Sequence, residues 1–393
     1  MNPFLGGRKP EVFGRCDPKF QAVADVFADN FTARGAAGEV GASCAIMIDG
    51  ELVVDLWGGF ADVVANRPWQ PDTLCCCWSV SKTIGATMVL KEVERGRLDL
   101  DVPVARYWTG FGRNGKAGIK VRHLLEHKAA LTFVDADLKA GDLYDWNTMI
   151  AALETSAPNW PPGEKAAYLN MTQGYLTGGL CQQVNGGRRL GQAWREDVAV
   201  PLALDWHLGV PDTVMPRLAT VYQVPSASFG EFLAKNPDSL MARSMKGRDP
   251  TEDYNNRRWR TCENGAGASH TNARSMARFY GCLARGGELD GVRLLSDNTL
   301  REAEAEAWRG PDPIFNAEAR FSTGFELNCP PATPMGPGTR CFGYVGAGGS
   351  FAFADPETRI GFGYAHNFMH MGLGPGPCGL PLVEAATRAA RSA

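Results

Sequence analysis

Ser79 and Lys82 stand three residues apart in Cys77-Trp-Ser-Val-Ser-Lys-Thr83, where a β-prone segment gives way to a helical pattern. On a helix this spacing places both side chains on one face, close enough to touch. A serine hydroxyl is a weak nucleophile until a neighbouring base removes its proton, and a lysine amine can be that base only when its pKa is lowered. The positive end of the helix dipole favours the neutral amine and the anionic serine. A pattern as short as S-x-x-K recurs by chance, so it gains meaning only with partners elsewhere in the chain.

Tyr168-Leu-Asn170, after a Pro-Pro-Gly loop, is the first such partner. A phenol beside an ammonium can ionise or pass a proton, which suits Tyr168 to serve as base for the attack and acid for the leaving group. Asn170 is placed to hold Lys82 by a hydrogen bond. The second partner is Phe342-Gly-Tyr-Val-Gly-Ala-Gly-Gly-Ser350, a strand with glycines spaced so that a substrate can approach its backbone. An acyl-transfer site needs two N–H donors for its oxyanion, and an edge strand can supply one.

These pieces need elements to position them. Ala42–Ile48 and Leu52–Trp57 are β-prone runs around Asp49-Gly50, a pair suited to a tight hairpin turn. A helix is predicted over Ser81–Glu94, stopped by Gly96. Further helices are predicted at Val121–His127 and Thr148–Glu154, with loops at Pro158–Gly163 and Lys246–Asn256. Another helix spans Asn272–Ala284, with Ser269 or Thr271 as the expected cap. Strands Gly349–Ala354 and Arg359–Ala365 flank a turn at Asp355–Thr358, and Leu382–Ala393 closes the chain as a helix. Strands at both ends with helices between them predict an α+β fold in which residues 1–101 and 264–393 share one sheet and residues 102–263 form a mainly helical lobe. The cleft between lobes is then the expected site.

The formal net charge is -3, with basic residues scattered among acids, which argues against nucleic acid or an acidic membrane surface as partner. No apolar run of ~20 residues and no secretory leader pattern occurs, so a cytoplasmic protein without membrane spans is expected. Eleven cysteines, three of them consecutive at Cys75, Cys76 and Cys77, lack the spacing of a zinc site and read as reduced, buried thiols. Neither metal nor cofactor is expected, and a homo-oligomer is left open.

Taken in this order the three motifs make the chain resemble the β-lactamase and penicillin-binding serine hydrolases, and within them the family VIII carboxylesterases related to class C β-lactamases. Ser79-Val-Ser-Lys82 matches S-x-x-K, Tyr168-Leu-Asn170 matches Y-x-N, and Tyr344-Val-Gly346 stands in the place of K-T-G. The likeness runs from about residue 20 to 370 through segments such as Leu98–Val104, Gly286–Gly291 and Gly348–Phe353. It implies an antiparallel sheet flanked by helices, a second helical lobe, an acyl-serine intermediate without cofactor, and an oxyanion hole made by the backbone N–H groups of Ser79 and Ala347. Two positions depart from the pattern. Tyr344 replaces the lysine that binds a lactam's carboxylate, offering a neutral hydroxyl and a flat face instead. Ala130, in Glu126-His-Lys-Ala-Ala-Leu131, replaces a usual glycine.

The resulting expectation is a serine carboxylesterase for small to medium acyl esters, with Ser79, Lys82 and Tyr168 catalytic and Asn170, Tyr344 and Gly346 supporting the substrate. Alternatives are a β-lactamase, a D-amino-acid peptidase or amidase, an acyltransferase using the same acyl-enzyme, or a catalytically silent binding scaffold. The last would be expected to have lost one of the three catalytic residues. No G-x-S-x-G or H-E-x-x-H occurs, so His123, His127, His207, His270, His366 and His370 read as structural. Trp57, Trp78, Phe133, Tyr144, Trp146 and Trp160 are the aromatics near the motifs that could wall a pocket.

Overall fold

In the computed structural model, which describes residues 1–223, 233, 235–249, 253–336, 338–370, 372 and 374–391, the two ends of the chain build one antiparallel sheet. Strands β1 (Val12–Cys16), β2 (Gly41–Ile48) and β3 (Glu51–Asp62) come from the N-terminal part. The C-terminal part supplies β4 (Trp308–Asp312), β5 (Ala317–Phe321), β6 (Glu326–Leu327), β7 (Phe342–Val345), β8 (Phe351–Asp355) and β9 (Ile360–His366). Their order is β1-β3-β2-β9-β8-β7-β6-β5-β4, and the short strand Arg67–Pro68 pairs with β3. The two chain ends meet at β2 and β9, where Ile48 faces Ile360 and Ala42 faces His366. Between β2 and β3 the predicted turn forms, with φ of 49° at Asp49 and 92° at Gly50.

Helices cover both faces of the sheet. On one side α1 (Gln21–Thr32) and α6 (Gly376–Arg391) bury Phe27, Phe31, Leu382 and Ala386 against Phe351 and Phe362. The other side carries α5 (Ala273–Ala284), whose backbone lies directly on β9. A Cβ on Gly361 would stand 2.1 Å from Gly281 N, and one on Gly363 2.4 Å from Ala273 O. Asn272 caps α5 by accepting from Ser275 N–H. The expected caps are engaged elsewhere: Thr271 pairs with Cys75 in a short strand, and Ser269 Oγ bonds Ser81 Oγ at 2.8 Å.

Beyond α5 lie α2 (Lys82–Glu94), α3 (Trp146–Thr155) and α4 (Thr172–Val184). Ten of the thirteen residues of α2 are buried, so it is an interior helix and not an amphipathic one. Gly85 lets it approach α4, since a Cβ there would meet Thr177 Oγ1 at 2.2 Å. The helix predicted over Val121–His127 ends at Leu125, because His127 takes a left-handed φ of 57°. Ala130 is left-handed too, at 54°, in the conformation that a glycine adopts without strain. Residues 250–252 of the expected Lys246–Asn256 loop and the last two of the C-terminal helix lie outside the described residues.

Gly361→Ala forces α5 off the sheet and should cost about 2 kcal/mol or more, the scale of overpacking a full core. Urea unfolding followed by circular dichroism would read this as a lowered midpoint; an unchanged midpoint would mean that α5 can shift at no cost.

Candidate active site

The nucleophile position arises from a change of helix type. A single 3-10 turn, Trp78–Ser81, leads directly into α2, whose first residue is Lys82. Residues i and i+3 eclipse in a 3-10 turn, which aligns Ser79 with Lys82 more closely than an α-helix would. The turn is entered through Trp78 at φ 51°, a left-handed value for a bulky residue. Its indole is held edge-on by Tyr254 at 4.4 Å and lies 6.0 Å from Trp259. Ser79 is half-buried between fully buried neighbours.

Lys82 is 1% exposed, and its Nζ contacts three oxygens: Asn170 O at 2.8 Å, Ala266 O at 2.9 Å and Ser79 Oγ at 3.4 Å. Burial pushes its pKa down to about 7, against the opposing pull of Glu326. A neutral amine has two protons and one lone pair. The two carbonyls match the two protons and leave the lone pair for the Ser79 hydroxyl. Asn170 therefore holds Lys82 as expected, but through its main-chain oxygen. Its carboxamide turns away and donates to Ser244 Oγ at 3.0 Å.

Tyr168 lines the same cavity as Ser79, and its ring centroid lies 4.5 Å from Lys82 Nζ. Burial first, and then the charge of Glu326, pushes its phenol well above the ordinary value. It is thus a protonated phenol at neutral pH and a donor, whereas the buried Lys82 amine is able to accept a proton. His127 stacks on the ring at 4.8 Å, while its Nδ1 accepts from Leu169 N–H at 3.0 Å, and Asp312 accepts from Tyr168 N–H at 2.6 Å. Histidine and aspartate together fix the loop that carries the phenol.

The end of strand β7 packs against the turn that carries Ser79. Gly346 abuts the nucleophile's turn so closely that a Cβ would stand 2.6 Å from Cys77 O and 3.0 Å from Trp78 Cβ. The glycine admits the neighbouring turn and not a substrate. Ala347 follows at the start of a 3-10 turn over Ala347–Gly349, and among the described residues neither Ala347 N–H nor Ser79 N–H meets an acceptor. Tyr344 corrects the expectation. It is 0% exposed, does not border the cavity, and donates its hydroxyl to Gly324 O at 3.0 Å. Side chains alternate along a strand, so with Val345 on one face Tyr344 turns to the other, into the core.

A cavity of about 440 Å³ opens over Ser79. Of the aromatics near the motifs, Trp78 and Tyr144 line it, whereas Trp57, Phe133, Trp146 and Trp160 do not. Further walls, among them Met241, Met245, Tyr254, Trp259, Phe315 and Phe321, come from segments that carry no motif. Glu326 also borders it; burial raises its carboxyl to about 7, and it accepts from Val345 N–H at 3.2 Å. An acid set in the apolar run Phe325-Glu-Leu327 was the one trace of this residue in the sequence.

Sheet, helical lobe and S-x-x-K turn together define a serine hydrolase of the beta-lactamase fold. The chain belongs to the beta-lactamase family, whose profile matches residues 27–375. It is similar to the esterase/beta-lactamase LipL of Mycobacterium tuberculosis, 33% identical over 378 residues that cover 91% of this chain and 83% of that protein. Among solved structures it resembles a penicillin-binding protein homologue from Caulobacter crescentus at 35% identity and a TM-score of 0.87, covering 96% of this chain and 100% of the other. A family VIII carboxylesterase matches with the same coverage and TM-score at 36% identity.

Ala347→Pro deletes one N–H donor and should lower kcat on an activated ester by ~10²–10³, whereas Ala347→Ser keeps the donor and should be tolerated. Gly346→Ala, which pushes that strand end from the serine turn, should cost on the order of 10² in kcat. Equal rates in all three variants would place the oxyanion elsewhere.

Proposed function

We propose that the protein is a carboxylesterase that hydrolyses small to medium acyl esters through an acyl group on Ser79. The observation that carries this reading is the Lys82 amine, buried beside Ser79 Oγ with its protons directed to two carbonyls. Lys82 takes the hydroxyl proton as Oγ bonds to the ester carbonyl carbon. The resulting oxyanion is received by the N–H groups of Ser79 and Ala347. The carbon–oxygen bond to the alcohol then breaks, and the departing oxygen takes a proton from the Tyr168 phenol, which Lys82 replenishes. Water, deprotonated by the same pair, cleaves the acyl-serine and restores the hydroxyl.

An ester is favoured over a lactam because the third motif presents no cation and its Tyr344 is buried. All eleven cysteines are free and all but Cys16 are buried, which supports a reducing, cytoplasmic setting. Among the described residues no helix is long and apolar enough to cross a membrane.

Intact-mass analysis after treatment with an alkyl phosphonate should find one adduct, on Ser79, and Ser79→Ala should abolish turnover; an adduct elsewhere overturns the mechanism. Lys82→Ala and Tyr168→Phe should each cost on the order of 10² or more in kcat. Only the unprotonated amine can accept the serine proton. With Lys82 lowered to about 7, kcat/KM should rise with pH through neutrality and level off in mildly alkaline buffer, where the phenol is still protonated. A flat profile from about pH 5 to 9 would remove Lys82 from the role of base. Against a ladder of p-nitrophenyl esters, a chromogenic cephalosporin should be the poorer substrate by about tenfold or more; the reverse order would make this a β-lactamase.

A further inference from the structure

The cavity over Ser79 contains a cation that the mechanism does not use. Two arginines border it, Arg248 and Arg320. Arg320 is neutralised by Glu306 at 2.5 Å and also donates to Asn328 O. Arg248, half-buried, makes no ion pair among the described residues, and its Nε is enclosed without an acceptor. Its guanidinium stands 5.6 Å from the Tyr254 ring, which in turn packs 4.4 Å from the indole of Trp78, the residue before the nucleophile. Two ring contacts therefore separate this charge from Ser79.

The acids around the cavity are already engaged. Asp312 accepts the N–H groups of Tyr168, Ile314 and Phe315, Glu318 pairs with Arg309, and Glu326 accepts from Val345 N–H while Lys82 acts on its charge. Four methionines and seven phenylalanine, tyrosine and tryptophan rings also line the wall. A guanidinium so placed has donors left for an anion in the cavity, and a carboxylate fits its paired donors best.

We propose that Arg248, on the helical lobe and away from the third motif, selects esters that carry a carboxylate on an apolar body. This rests on the carboxylesterase reading and specifies its substrate class: the apolar part lies against Tyr254, Trp259 and the methionines, and the carboxylate pairs with Arg248.

The test uses two matched pairs of esters. In one the carboxylate is on the acyl side, as the mono-4-nitrophenyl ester of adipic acid against its methyl ester. In the other it is on the alcohol side, as 4-carboxyphenyl butyrate against its methyl ester. For at least one pair, the wild-type ratio of kcat/KM, acid over neutral, should exceed that of Arg248→Met by about tenfold or more, mainly through KM, with Arg248→Lys between them. Ratios that agree between wild type and Arg248→Met in both pairs, while the neutral esters are hydrolysed, overturn the assignment and leave the esterase reading intact. A separate arm needs no turnover: calorimetry of 4-phenylbutyrate and 4-phenylbutyramide binding to Ser79→Ala. The acid should bind about tenfold more tightly than the amide, and the added Arg248→Met change should erase that difference. Equal binding of acid and amide overturns the role of Arg248 whether or not any ester is hydrolysed.

Discussion

A lysine amine held by two main-chain carbonyls and pressed against a serine hydroxyl is the constraint around which this molecule is organised. Burial removes the water that would stabilise the ammonium, and the amine is driven toward the neutral form that a base requires. That environment needs walls from distant parts of the chain. One carbonyl belongs to Asn170 in the loop before α4, and the other to Ala266 just ahead of the strand that leads into α5. Neither could be replaced by a flexible side chain without restoring mobility to the base.

The same enclosure governs the phenol in the opposite sense. Burial favours the uncharged state of each group, so it lowers the amine and raises Tyr168, and the two are separated into acceptor and donor by a single physical cause. Glu326 sits between these tendencies, resisting the depression of Lys82 and reinforcing the protonation of Tyr168. The family's third-motif lysine would add a positive charge where this chain places Tyr344, which is neutral and bonded to Gly324 O. The site consequently holds fewer fixed charges near the serine, with its unpaired cation displaced to Arg248.

Geometry is set by backbone contacts more than by side chains. Trp78 accepts a left-handed conformation because its indole is held by Tyr254 and Trp259, and that twist turns the chain from strand to 3-10 helix at the serine. Gly346 lets the end of β7 abut the same turn. Next to α2, whose Thr83 bonds Tyr280 of α5, Gly361 and Gly363 let α5 settle on β9. Close backbone approach recurs wherever an element must be held in register with the site.

Ser79, Lys82 and Tyr168 as one group, the Asp49-Gly50 hairpin, and the joining of the two chain ends in one sheet can all be read from the sequence. Each of these is written in local chemistry or in periodicity over a few residues, which a linear reading can recover. Only the tertiary structure decided that Asn170 acts through its carbonyl, that Tyr344 faces the core, and that Asn272 caps α5. These depend on where a neighbouring element leaves room or supplies a partner. Asp312, Glu326, Arg248 and most of the cavity wall were illegible for the same reason. Their placement comes from burial and from contacts made in the folded chain, such as that of Asp312 with Tyr168, which the residues beside them in sequence encode at most as a trace.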